Sequence, residues 1–126
     1  MNVERAVFRL HDIERAIRDI RTLLAGKSVE HIRAERFERL AAERLFEILS
    51  EASRHVPTEW KSDSGAEVPW RQIGDLGNEL RHAYHRVDLD ILWSIYEHDL
   101  GPLEAAIDAM LAAHDPGGEF TPPPRP

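Results

Sequence analysis

The chain has 126 residues, no cysteine, and 23 acidic against 16 basic side chains, for a formal net charge of −7. That length fits one domain able to bury about two-thirds of its unfolded surface, and the lack of cysteine removes disulfides and thiolate metal sites and points to a reducing compartment. The acidic balance argues against broad, non-specific binding to nucleic acid, which needs a basic field, but leaves room for a small nuclease site with local positive charge or for docking of a basic protein.

From Val3 the apolar positions are Val3, Ala6, Val7, Leu10, Ile13, Ala16, Ile17, Ile20, Leu23 and Leu24, a helical period. Gly26 is the expected C-terminal stop and Ser28 the next N-cap, with Glu30 in the first turn. His31 to Arg36 reads as a short helical piece. A second long helix is predicted from Phe37, Leu40, Ala41, Leu45, Ile48, Leu49 and Ala52, ending before Pro57. Its other face alternates Arg33, Arg36, Arg39 and Arg44 with Glu35, Glu38, Glu43 and Glu47, either a solvated face or a docking surface. Thr58 to Glu67 is polar and reads as a loop, in which Trp60 is an interface anchor or folds back on the bundle.

The densest chemistry lies between Trp70 and Asp88. Pro69 suits the first turn of a helix running to about Tyr84. Ile73, Leu76, Leu80 and Tyr84 make its apolar face, and Asn78, Arg81, His82 and His85 share a polar one. Gly74 and Gly77 sit inside this helix, each costing up to ~1 kcal/mol against alanine. Such a pair implies close backbone packing, within the bundle or against a second subunit. The remaining helices look like support for this one.

Asp88 can cap a helix carrying Leu89, Leu92, Trp93, Ile95 and Tyr96. Asp99 to Pro102 breaks the chain before a last helix with Leu103, Ala106, Ile107, Met110 and Leu111. Trp70 and Trp93 read as core. The pattern gives an all-α fold, an antiparallel four- to five-helix bundle over residues 1–115, with a disordered Pro-rich tail over 116–126. No apolar run approaches the ~20 residues needed to span a bilayer and no signal peptide opens the chain, so no membrane contact and a cytoplasmic location are expected.

The segment Asn78-Glu-Leu-Arg-His82-Ala-Tyr84, preceded by Pro69-Trp70 and followed by Val87-Asp88 and Ile91-Leu92-Trp93, resembles the signature of the HepT-like toxins. These form a branch of the HEPN superfamily of small helical ribonucleases. The family pattern runs Arg-Asn, three residues, His, any residue, Tyr, then a Val-Asp turn and a Trp-containing helix. Asn78, His82, Tyr84, Asp88 and Trp93 fall on it, and the resemblance extends from about Phe8 to Ala113. Gly77 stands where the family has arginine. Arg81 is the nearby guanidinium left to stand in, but it adjoins the histidine. Adjacent helical residues point about 100° apart, which places it away from the family arginine's position.

The resemblance implies a HEPN-like bundle and a metal-independent endoribonuclease acting on RNA, tRNA among the candidate substrates, with no cofactor and no metal. His82, Arg81 and Asn78 become the catalytic candidates. Cleavage through the 2′-hydroxyl needs a base, an acid and a cation for the phosphorane charge. One histidine per chain supplies one proton-transfer group, hence an expected homodimer. The resemblance also implies a minimal nucleotidyltransferase antitoxin as partner, which transfers AMP to Tyr84. Gly77 motivates the alternative, a catalytically weak or inactive HEPN-type interaction module that binds the same nucleotidyltransferase. His82 and His85 are spaced for a metal but lack a clear third ligand. His11, His31, His55, His98 and His114 read as structural or solvent-facing.

Overall fold

The structure, a computed structural model, describes residues 2–82 and 88–122. Among them are seven helices and no strand: α1 (Val3–Leu24), α2 (Val29–Ala34), α3 (Arg36–Arg54), α4 (Thr58–Ser64), α5 (Trp70–His82), α6 (Leu89–His98) and α7 (Leu100–His114). Five of these answer to the expected bundle, and α2 is the expected short piece.

Local chemistry sets the helix ends. The Asn2 carboxamide oxygen accepts the Arg5 amide at 3.0 Å and opens α1. Gly26, at φ +73, turns the chain out of it in the left-handed conformation that glycine adopts freely. The Ser28 hydroxyl accepts the His31 amide to start α2, and the Asp88 carboxylate accepts the Asp90 amide to start α6.

The core is built on α1. Its buried stripe of Val7, Leu10, Ile13, Ile17 and Ile20 meets α3 on one side and α7 on the other. α3 in turn lies between α1 and α5. α5 is therefore a flank of the bundle and not its centre: it buries Ile73, Leu76 and Gly77, with Leu80 half-buried. The expected apolar face is right as far as Leu80. Tyr84 and His85 lie outside the described residues.

Two expectations for the middle of the chain are corrected. Phe37 is 80% exposed and Leu40 44% exposed. The residues that α3 buries are Ala42, Phe46, Leu49, Ser50, Ala52 and Ser53, so Leu49 and Ala52 stand as expected. A period taken from large apolar residues drifted because the side facing α5 is made of small ones. The stretch Thr58–Ser64 is helix, not loop. Pro57 presets the backbone ahead of it, and Trp60 is buried with its ring stacked on His114 at 3.8 Å. Its polar composition reflects one inward residue per two turns. Trp70 and Trp93 are half-buried against the core, and the Trp70 indole donates to the Gly65 carbonyl at 2.8 Å.

At the far end, the Asp115 carboxylate accepts the amides of Glu119 and Phe120, and Phe120 packs on the core. No helix among the described residues is long and apolar enough to cross a membrane.

Candidate functional site

α5 runs antiparallel to the C-terminal half of α3, and a single hydroxyl fixes their register. The Ser50 hydroxyl accepts the Gly77 amide at 2.8 Å and donates to the Gly74 carbonyl at 3.0 Å. A Cβ on Gly77 would lie 2.8 Å from that oxygen, closer than such atoms approach. A Cβ on Gly74 would press on the Arg54 stem at 3.3 Å. Both glycines are thus accounted for by packing within one chain, and they supply no argument for a second subunit.

Asn78, Arg81 and His82 lie exposed on the last turn and a half of α5, spaced to share a face. Arg81 leans back toward the helix start, as long helical side chains do. Its Nη1 lies 3.6 Å from the point that a Gly77 Cβ would occupy and 3.8 Å from Glu51 Oε2. Arg81 thus comes to the site from a different angle than an arginine at position 77 would, reaching back beside Gly77. The relevant spacing is Gly77 to Arg81, i to i+4, which stacks the two residues on one face. The absent side chain at Gly77 leaves room beside it for the guanidinium of Arg81.

Glu51 holds Arg81 from the α3 side. The His55 ring hydrogen bond, 3.1 Å long, keeps the Glu51 carboxyl below the usual carboxylate range against a partial burial that opposes it. The charges of His55, Arg54 and Arg81 add to the effect. Glu51 thus stays anionic where a cation needs aligning.

Two hollows flank this helix. Arg81 lines one of about 250 Å³ with Arg9, Asp12, Arg44, Glu47, Ile48, Glu51 and Ala52, where the charges are mixed. Asn78 lines the other, of about 460 Å³, with Arg54, Lys61, Trp70, Arg71, Gly74 and Asp75. Sequence reasoning missed Arg54, Lys61 and Arg71, which come from three different helices and share no spacing. Lys61 sits 5.2 Å above the Trp70 ring, and burial pushes its ammonium down from the ordinary lysine value. Among the described residues no three His, Cys, Asp or Glu side chains gather as a metal site requires.

A family model described as Ribonuclease HepT-like matches residues 13–110, from within α1 to within α7. The chain belongs to the HepT-like ribonuclease family. Among curated relatives of this HepT-like chain, "Probable ribonuclease HepT" of Thermococcus cleftensis is 30% identical over 101 residues, covering 80% of the chain and 91% of that protein. "Putative RNase MJ1380" of Methanocaldococcus jannaschii is 26% identical over 101 residues, covering 80% of the chain and 92% of its own length. No solved structure matches. The HepT-like match takes in all of α5, and with it Gly77, Asn78, Arg81 and His82.

Proposed function

We propose that this HepT-like protein is a metal-independent endoribonuclease and the toxin of a toxin–antitoxin pair. The observation that carries the reading is the exposure of Asn78, Arg81 and His82 together at the end of α5, in a chain of a ribonuclease family. An imidazole exchanges protons in the physiological range. His82 takes the proton of an RNA 2′-hydroxyl, whose oxygen attacks the adjacent phosphorus. The bond to the 5′-oxygen breaks and that oxygen takes up a proton, leaving a 2′,3′-cyclic phosphate and a 5′-hydroxyl. Arg81 offsets the charge that builds on the phosphorane, and the Asn78 amide orients a phosphate oxygen. The second proton-transfer group comes from the His82 of another copy, so the active form is a homodimer.

The partner in this reading is a minimal nucleotidyltransferase antitoxin. The Tyr84 oxygen attacks the α-phosphorus of ATP, pyrophosphate leaves, and the resulting AMP adduct fills the place of an RNA phosphate beside His82. A second reading, a non-catalytic helical module that keeps only the partner contact, is favoured by Gly77 in place of the family arginine. Incubation of the purified protein with total tRNA in the presence of a chelator tests the two. The first reading expects cleavage by the wild type and none by His82→Ala, with helical circular dichroism unchanged. An intact substrate with the wild type, alongside retained binding of the nucleotidyltransferase, would favour the second.

A further inference from the structure

The chain carries seven more acidic than basic side chains, yet the cleft beside Asn78 has the opposite balance. Arg54, Lys61 and Arg71 line it against one carboxylate, Asp75. That carboxylate is only loosely engaged, 4.0 Å from the Arg71 guanidinium. The charge of Arg54 also acts on Glu51, outside the cleft lining, whereas burial is what shifts Lys61. Lys61 rests on the Trp70 ring. Arg54 and Arg71 are exposed and Lys61 is the partly buried cation. Three cations against one loosely engaged carboxylate leave a local positive surplus that favours an anion, and a partly buried ammonium gains most from one because it offsets the cost of desolvation. Lys61 already bears part of that cost, as the downward shift caused by its burial records.

The cleft is continuous with the candidate catalytic end. Asn78 lines it, and His82 follows one turn later on the same face of α5. From Arg71 to His82 the helix advances roughly 16 Å at 1.5 Å per residue, a reach of a few nucleotides of extended strand. The packing also explains why the cations lie here. Gly77 cannot carry a side chain without displacing Ser50, and a Cβ on Gly74 would lie 3.3 Å from the Arg54 stem and push it aside by a few tenths of an ångström. Gly77, at the family arginine's position, thus lets Ser50 of α3 come close, and Gly74 lets the Arg54 stem lie across α5.

We infer that Arg54, Lys61 and Arg71 clamp backbone phosphates of single-stranded RNA flanking the scissile bond, so that the strand runs along α5 from its first turn to His82. The inference rests on the ribonuclease reading and adds the residues that hold the substrate. The ligand chemistry is a run of phosphodiesters. The polyphosphate of a free nucleotide shares it in part and forms the competing arm of the test.

The test is fluorescence anisotropy of a short, labelled, fully 2′-O-methylated single-stranded oligoribonucleotide, which cannot be cut through its 2′-oxygens. It is titrated with full-length protein across a salt series. Arg54→Gln, Lys61→Gln and Arg71→Gln are each expected to weaken binding by about fivefold or more. Each should flatten the dependence of log affinity on log salt by about 0.7, one phosphate's share for a single strand. Arg18→Gln, an exposed change on α1, should leave both unchanged. Circular dichroism confirms the fold of each variant.

Unchanged affinity and slope in the three cleft variants, with the wild type still binding, would overturn the clamp and leave the ribonuclease reading standing. No binding by the wild type would also overturn it, and cleavage of unmodified RNA then reports separately on the ribonuclease reading. ATP enters as a competitor. Displacement of the oligonucleotide only by a large molar excess of ATP supports the RNA assignment. Variants that lose ATP while keeping RNA would overturn it in favour of a nucleotide site.

Discussion

Ser50 and Gly77 are joined by a 2.8 Å hydrogen bond between α3 and α5, where a Cβ on Gly77 would have no room. The same hydroxyl donates to Gly74, so one side chain binds both glycines of the site helix. A methyl on Gly77 meets that oxygen directly, and overpacking of this kind costs about 1–3 kcal/mol. Alanine's better helix propensity returns up to ~1 kcal/mol. Gly77→Ala is therefore expected to destabilise the fold on balance. In a Ser50→Ala background the obstructing oxygen is gone and the penalty shrinks. Urea unfolding of the two single variants and the double variant should give a coupling of at least ~0.5 kcal/mol. Strictly additive costs would mean that the two residues do not constrain each other.

Arg81 lies over Gly77 and is held loosely by Glu51, with both side chains more than a third exposed. Exposed pairs of this kind contribute little to stability. Arg81→Ala should leave the melting temperature nearly unchanged and lower the cleavage rate by about 10²-fold, the usual loss of one group that stabilises transition-state charge. A variant that cuts RNA at the wild-type rate would remove Arg81 from the mechanism.

Asp108 on α7 gives a pH dependence unrelated to the site. Burial first, then the neighbouring carboxylates Glu104 and Glu14, raise its carboxyl above the ordinary value of 3.8. The folded state thus binds this proton more tightly than the unfolded chain does. The linked stabilisation is full below the ordinary value and is lost as pH rises through the raised one. Asp108→Asn removes the charge, so it should melt above the wild type at neutral pH. The difference should close as the pH approaches 3.8. A variant less stable than the wild type at neutral pH would reverse the sign of this contribution.

The proposed AMP transfer takes Tyr84 as acceptor, and the chain has one other tyrosine, Tyr96. Tyr96 is half-buried, its ring 5.1 Å from Trp93 and edge-on to it. Tyr84 follows His82 by two residues. After incubation with the nucleotidyltransferase and ATP, mass spectrometry should find AMP on the peptide that contains Tyr84 and none on Tyr96. An adduct on Tyr96 alone would refute the family's tyrosine correspondence. Inhibition with no adduct would mean that the partner acts by docking.

The sequence made the long helices legible wherever large apolar residues repeat, as in α1, and wherever a cap has a side chain to declare it, as at Ser28 and Asp88. Small residues hid the rest. Ser50 and Ser53 are buried because their hydroxyls bond backbone carbonyls, which no hydropathy period records. Phe37 looks like core by type and yet stands in solvent, on a turn that no neighbouring helix covers. α4 hid behind its polar residues, since one inward tryptophan is too short a signal for a period. The motif singles out Asn78 and His82, and Arg81 is a candidate only as the guanidinium beside them. The cleft beside them depends on where three separate helices come together, information that exists only in the folded chain.

The stack of Trp60 on His114 reaches further than its own contact. α4 is seven residues long, and Trp60 is its one buried side chain. The last residue of α7 clasps that ring, and Lys61 is the very next residue along. The carboxyl-terminal helix thus works as a latch on a lysine that faces the cleft. If Lys61 clamps RNA as proposed, trimming α7 short of His114 would loosen that grip from a distant part of the polypeptide, without touching a single residue of the site helix.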